Sequence, residues 1–245
     1  MITKEMLKKI APNSKDAIIS ALVEPLNEHL PKYGVDTHLR VTHFLSQASH
    51  ETAGFKTLEE YASGQAYEAR KDLGNTQPGD GKKYKGRGIF QLTGRANYNT
   101  FGKKIGKDLE GNPLLAGDAE TSVLIALEYW NNRKLSPLAD KDDVTAITKK
   151  INGGLNGIED RKKYLAKAKK IIPQDISFVK EEKEEVSLPP LVAFEKAVTD
   201  VTEEIFKTVV EDKKNDVKES VTQGTSIVAL FIVFIKNIFS KKESW

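Results

Sequence analysis

The stretch FLSQASHETAGFKTLEE, residues 44–60, decides how this chain is read. Leading into it, Leu39, Val41, Phe44, Leu45 and Ala48 recur at helical spacing, which predicts a helix over 37–51 with one apolar face turned to a core. Gly54 is the expected stop. The helix therefore delivers His50 and Glu51 at its polar end, with Glu59 and Glu60 a short connection later. Three readings compete for these residues: half of a metal site, a carboxylate pair for acid–base chemistry, or only the solvated end of a helix.

Outward from this stretch the same periodicity returns. Ile18, Ile19, Leu22, Leu26 and Leu30 predict a helix over 15–30, with Pro31 just past it. Residues 119–131 and 159–172 are two further helices by the same test. Between Gly64 and Gly88 the periodicity disappears into a run rich in Gly, Asp, Asn and Lys, and a long irregular segment inside a compact domain usually serves function. The expected fold class is mainly α, with one compact helical domain over 1–173 closed by Pro173.

Beyond it, 174–190 reads as a linker, because KEEKEEVSLPP combines a charge run with a proline pair. Leu191, Phe194, Val198, Val201, Ile205 and Val209 predict an amphipathic helix within 191–220. The last segment, 221–245, holds the run IVALFIVFI (227–235), apolar on every face. Taken over 221–239 it approaches bilayer-spanning length and is expected to act as a membrane anchor, the alternative being a helix buried in an assembly. A spanning helix would translocate Lys241 and Lys242, against the positive-inside bias.

Composition removes several chemistries. With no cysteine, the chain has no disulfide framework, no thiolate zinc site and no cysteine nucleophile. The start, MITKEMLKKIAPNS, carries no apolar run of signal-peptide length, so synthesis in the cytoplasm without an export signal is expected. Residues 1–173 hold 28 basic against 21 acidic side chains, whereas 174–245 hold 10 against 14. A basic front half suits a polyanionic partner such as nucleic acid or an anionic wall polymer; a solvated lysine-rich surface is the plain alternative.

The metal reading fails on spacing. A zinc-binding H-E-x-x-H helix needs a second histidine where this chain has Gly54, and His29, His38 and His43 offer no matching ligand spacing. Glycosidic cleavage asks for less: one carboxyl to protonate the leaving oxygen and one carboxylate to attack or to activate water. Glu51 and the Glu59/Glu60 pair have the types for these roles, with Glu68 in reserve. Read alone, Gln91, Thr93 and Asn152 are as well explained as helix caps or loop hydrogen bonders. Gly86 and Gly88 point to positive φ or close backbone approach, and Tyr84, Tyr98 and Trp130 to packing.

Three motifs in order, SHETAGF (49–55), KKYKGRGIFQLTGRANY (82–98) and KKINGGLNGIEDRKKYL (149–165), resemble glycoside hydrolase family 19, the chitinase-like lysozymes common as bacteriophage endolysins. The resemblance covers most of 35–172 and implies a lysozyme-like helical domain with a deep cleft. It implies Glu51 as general acid and Glu60 as general base, with Glu68 or Glu59 as alternative bases. It further implies Gln91, Thr93, Asn97, Tyr98 and Asn152 as substrate-binding residues, and Arg161 as the arginine completing the charge network behind the carboxylates. The family inverts at the anomeric carbon, which puts acid and base about 6.5–9.5 Å apart around a water. Two departures, Ala53 where many members have glycine and Asn156 where plant members have glutamate, point away from chitin. The expected partner is therefore peptidoglycan, not nucleic acid, with no metal or cofactor. Chitin is the alternative substrate, and a non-catalytic wall-binding or structural component of a phage tail or injection particle is the alternative role.

Overall fold

Helix α3 (His38–Glu51), which the opening stretch encodes, runs through the middle of the domain. The structure is a computed structural model that describes residues 1–178. The expectations for 191–220 and 221–245, and the linker from 179 on, lie outside the described residues. In chain order the helices are α1 (Lys4–Ile10), α2 (Asp16–Lys32), α3, α4 (Asp80–Lys83), α5 (Arg95–Ile105), α6 (Ala119–Asn132), α7 (Ser136–Ala139), α8 (Val144–Asn152) and α9 (Ile158–Ile171). Among the described residues no helix is long and apolar enough to cross a membrane.

The single apolar stripe expected for α3 is too narrow. His38 and every residue from Val41 to Ser49 are buried, including Thr42, Ser46 and Gln47. A helix buried on all sides needs partners for its polar groups. Packing of α9 along α3 supplies some of them, as when Ser46 Oγ donates to the Arg161 carbonyl at 2.7 Å. Thr42 bonds the Leu39 carbonyl of its own helix, while Ser49 Oγ and Gln47 Nε2 have no partner among the described residues. Thr37 caps the helix start by accepting from Arg40 N–H. At its other end Ala53, Gly54 and Phe55 all take positive φ, at 52°, 78° and 56°, and turn the chain sharply away.

Pro31 does not lie beyond α2, as expected, but inside its last turn. Proline there forfeits one hydrogen bond, and the helix survives because the amides of Tyr33, Gly34 and Val35 fold back onto the carbonyls of residues 29–31. The domain also runs past Pro173: Ile176 and Phe178 pack on the core, and the Met1 ammonium donates to the Ser177 carbonyl at 2.7 Å.

The core places Trp130 of α6 edge-on to Phe44 of α3, 5.5 Å between centroids. Phe90 meets Phe44 at 5.8 Å and Tyr129 at 5.4 Å, so one aromatic chain leads from the core to the surface. The irregular segment 64–88 contains α4 and two single turns of 3₁₀ helix. Elsewhere backbone bonds such as Gly88 N–H to the Leu58 carbonyl are supplemented by side chains. Asp80 Oδ2 accepts from the amides of Thr76 and Gln77, Asn75 donates to the Tyr67 carbonyl, and Arg95 clamps Asp80.

Candidate active site

Glu51 is the last residue of α3, and its carboxylate meets α9. Arg161 Nη2 donates to Glu51 Oε1 at 2.5 Å, while Nη1 of the same guanidinium donates to Gln47 Oε1. Gln47 lies one turn before Glu51, so one arginine braces two side chains of a single helix face. Arg161 is only 2% exposed, and Glu51 is about one-fifth exposed at 22%. The second oxygen of Glu51 remains available to a substrate. The neighbouring His50 turns to α9 instead, its Nδ1–H donating to Asp160 at 2.7 Å. Its ring leaves no room for a Cβ at Gly157, which would come within 2.2 Å of it.

Glu60 sits on the connection after α3. Its backbone N–H donates to the Gly86 carbonyl, and its Oε1 accepts from the Gly86 N–H at 2.9 Å. Its Oε2 accepts from the Tyr67 hydroxyl at 2.9 Å. Burial, then this hydrogen bond, holds the Tyr67 phenol above its usual range. Gly86 is a close-approach glycine: a Cβ there would lie 2.8 Å from Gln91 Oε1, 3.3 Å from Thr93 Oγ1 and 3.4 Å from the Glu60 carboxyl carbon. Glu60, Gln91 and Thr93 therefore converge on one point. Gln91 is held there with φ of 49°, and its Nε2 donates to the Gly88 carbonyl at 3.0 Å. Gly88 itself has φ of 80°, so the two glycines of GRG serve close approach and positive φ respectively.

The two alternative carboxylates are engaged differently. Glu59 pairs with Lys85 Nζ at 3.1 Å and Arg87 Nε at 3.2 Å. Glu68 accepts from the amides of Gly79 at 2.7 Å and Gly81 at 2.8 Å, tying two turns of the irregular segment together.

A cleft of about 480 Å³ opens beside these groups, lined by Gln91, Thr93, Asn97, Lys104, Tyr129 and Arg133 among others. Neither Glu51 nor Glu60 lines it. Gln91 and Thr93 join it to Glu60, and Tyr129 joins it to Glu51. Burial raises the Tyr129 phenol, Arg133 partly offsets this, and the nearby Glu51 pushes it further up. Tyr129 also donates to the Ile151 carbonyl at 3.0 Å, which brings Asn152, at the exposed end of α8, toward the same region. Asn97 is exposed on α5, its Nδ2 donating to the Thr93 carbonyl at 2.7 Å.

Tyr98 requires a correction. It was expected to bind sugar, yet it is fully buried against Tyr84. Its hydroxyl donates to the Lys85 carbonyl at 2.6 Å and accepts from Arg87 at 3.0 Å, and burial pushes its phenol up to about 12. It braces the loop that carries Gly86 rather than meeting a ligand. Arg161, at 2% exposure, is likewise too buried to touch a substrate and contacts Glu51 instead. Sequence reasoning missed Gln47, Tyr67, Tyr129 and Arg133. The i, i+4 spacing of Gln47 and Glu51 was a usable signal; Tyr67, in an aperiodic run, had none.

The chain is similar to several known proteins. The family model described as Chitinase class I matches residues 32–154. A glycosyl hydrolase family 19 domain-containing protein of Haemophilus influenzae is 31% identical over 192 residues, covering 66% of this chain and 92% of that protein. Acidic endochitinase SP2 of Beta vulgaris is 35% identical over 133 residues, which are 51% of this chain and 46% of the plant protein. Among solved structures, chitinase C from Streptomyces griseus superposes with a TM-score of 0.55 at 21% identity, over 69% of this chain and 76% of that one.

Proposed function

This chain belongs to glycoside hydrolase family 19 and is a glycan hydrolase of the chitinase/lysozyme type; from that premise we propose that it is an endolysin-like muramidase cleaving β-1,4 bonds of peptidoglycan with inversion. Glu51 is the acid: its proton passes to the leaving glycosidic oxygen as the bond from the anomeric carbon breaks. Glu60 is the base: it takes a proton from a water whose oxygen bonds to that carbon from the opposite face. Arg161, already bonded to Glu51, stabilises the carboxylate that forms as the proton leaves, a gain that grows toward the transition state. Support for Glu60 over its neighbours is positional. It alone of the three shares the Gly86 junction with Gln91 and Thr93, the groups suited to hold a water and a sugar.

The observation that carries the substrate is charge. The excess of 28 basic over 21 acidic residues in 1–173 favours an anionic wall over an uncharged polymer. Chitin is the second reading, favoured by the chitinases among the relatives. Turbidity of permeabilised Gram-negative cells and hydrolysis of glycol chitin, followed for the full chain and Glu51→Gln, separate the two. Lysis by the unaltered chain alone supports the muramidase. Hydrolysis confined to glycol chitin supports the chitinase, and equal inertness of both proteins on both substrates sinks the enzyme.

A further inference from the structure

Two cations line the cleft that the hydrolytic machinery does not use. Arg133 caps the end of α6, and its guanidinium carbon lies 4.4 Å from the Tyr129 ring centroid. The platform is firm, because the Tyr129 hydroxyl is tied to the Ile151 carbonyl and its ring is edge-packed on Phe90. Lys150 Nζ donates to the Arg133 carbonyl at 3.0 Å and pins the backbone as well. A stacked guanidinium keeps its N–H edge free for a planar anion while losing little further freedom on binding. No carboxylate among the described residues lies within ion-pair distance of Arg133, whereas Arg40, Arg70, Arg87, Arg95 and Arg161 each have at least one. Lys104, from α5, lines the same cleft, its Nζ donating to Asn132 at 2.7 Å and lying 3.9 Å from Glu128 Oε2, a loose pair that leaves Arg133 as the principal cation there.

Uncharged sugars ask only for amides and hydroxyls, and Gln91, Thr93 and Asn97 provide these along the cleft. A guanidinium held ready in that wall, with no ion-pair partner among the described residues, asks for a carboxylate. The repeating unit of chitin carries none. Alternate sugars of peptidoglycan carry a 3-O-lactyl group, which ends in a carboxylate when free and in a peptide with its own carboxylates when substituted.

We propose that Arg133, with Lys104 beside it, binds a carboxylate borne on the glycan and so selects peptidoglycan over chitin. This rests on the peptidoglycan reading above, deepening it from bulk charge to a particular residue.

The test compares the full chain with Arg133→Gln and Arg133→Lys on three substrates: intact peptidoglycan, peptidoglycan stripped of peptides by an amidase, and glycol chitin. The quantity read is the ratio of kcat/KM on peptidoglycan to that on glycol chitin. Arg133→Gln should lower it about tenfold, chiefly through KM, in line with loss of one charge-assisted hydrogen bond at an exposed site. The loss should shrink as salt rises, and Arg133→Lys should restore part of it. A loss seen on stripped strands assigns the lactyl carboxylate; a loss confined to intact wall assigns a peptide carboxylate. An unchanged ratio overturns the proposal. Should the unaltered chain cleave glycol chitin alone, or neither substrate, the muramidase reading fails separately. Arg133 is then judged by calorimetric binding of a soluble disaccharide-peptide and of chitotetraose to Glu51→Gln with and without Arg133→Gln. Equal affinities of the two proteins for the disaccharide-peptide overturn it, and a selective loss upholds it.

Discussion

Arg161 bridges Gln47 and Glu51, two side chains one turn apart on α3, from a position buried to 2% exposure. The bridge sets the orientation of Glu51 from behind and leaves its front to solvent. Replacing Arg161 by alanine removes one partner of a largely buried ion pair and orphans Gln47, which should cost about 3 kcal/mol of stability. Lysine restores the charge but not the two-armed geometry. Arg161→Lys is therefore expected to recover most of the melting temperature while kcat stays depressed. Full recovery of both would mean that charge alone suffices.

The three carboxylates after α3 should separate by the kind of damage their loss causes. Glu60→Gln is expected to lower kcat by about 10²–10⁴-fold with glycan binding retained, the scale for a general base. Glu68→Gln should instead lower stability by about 1–2 kcal/mol, because it weakens charge-assisted bonds to the Gly79 and Gly81 amides. Glu59→Gln, at a half-exposed pair, should do little to either. Kinetics and urea melts on the three variants check this, and a kcat collapse in Glu68→Gln with normal stability would move the base there.

Ala53 is exposed with φ of 52°, where glycine is at ease and alanine is not. Ala53→Gly relieves that strain but loosens the unfolded chain, for a net gain of about 0.5–1 kcal/mol. The urea midpoint should rise with an unchanged slope. A lower midpoint would show that the Cβ makes a compensating contact.

Stability should fall as the solution is acidified from neutrality, through a pair remote from the cleft. Buried His43 donates from Nε2–H to Asp142 at 2.7 Å, and Lys169 also bonds Asp142. Burial pushes the imidazole below its usual range, partly opposed by the Asp142 hydrogen bond. Burial would raise the Asp142 carboxyl, but Lys169 and His43 outweigh it and hold it low. In both cases the unfolded chain binds the proton more readily, so stability is present above the unfolded values and lost as pH falls. The histidine part begins near pH about 6.5 and the carboxylate part near about 3.9. NMR titration of the His43 ring should place its midpoint below that of a free histidine; a midpoint above it would reverse the sign.

Much of the architecture was legible from periodicity. Helices α2, α3, α6 and α9 appear within two residues of their expected ends, because each carries an apolar repeat long enough to register. Helices α1, α4, α5, α7 and α8 were missed. They are short or, like α5, open on polar residues, and tertiary packing rather than an apolar repeat maintains them. The buried polar face of α3 was invisible for a related reason: a serine or glutamine reads as solvated until the partner that satisfies it is known.

By itself the sequence determined which chemistries this protein can hold. It excluded cysteine and paired-histidine chemistry, placed Glu51 at a helix end, and set GRGIFQLTG and INGG downstream in the order of a known family. Only the tertiary structure decided what each carboxylate and tyrosine touches. Glu60 meets Gln91 and Thr93 across Gly86, Glu68 is tied to Gly79 and Gly81, and Tyr98 turns inward to hold Arg87. Periodicity reports which side of an element is buried. A side chain's role, by contrast, depends on the hydrogen-bond partners that chain closure brings to it, and Glu51 and Arg161 stand 110 residues apart.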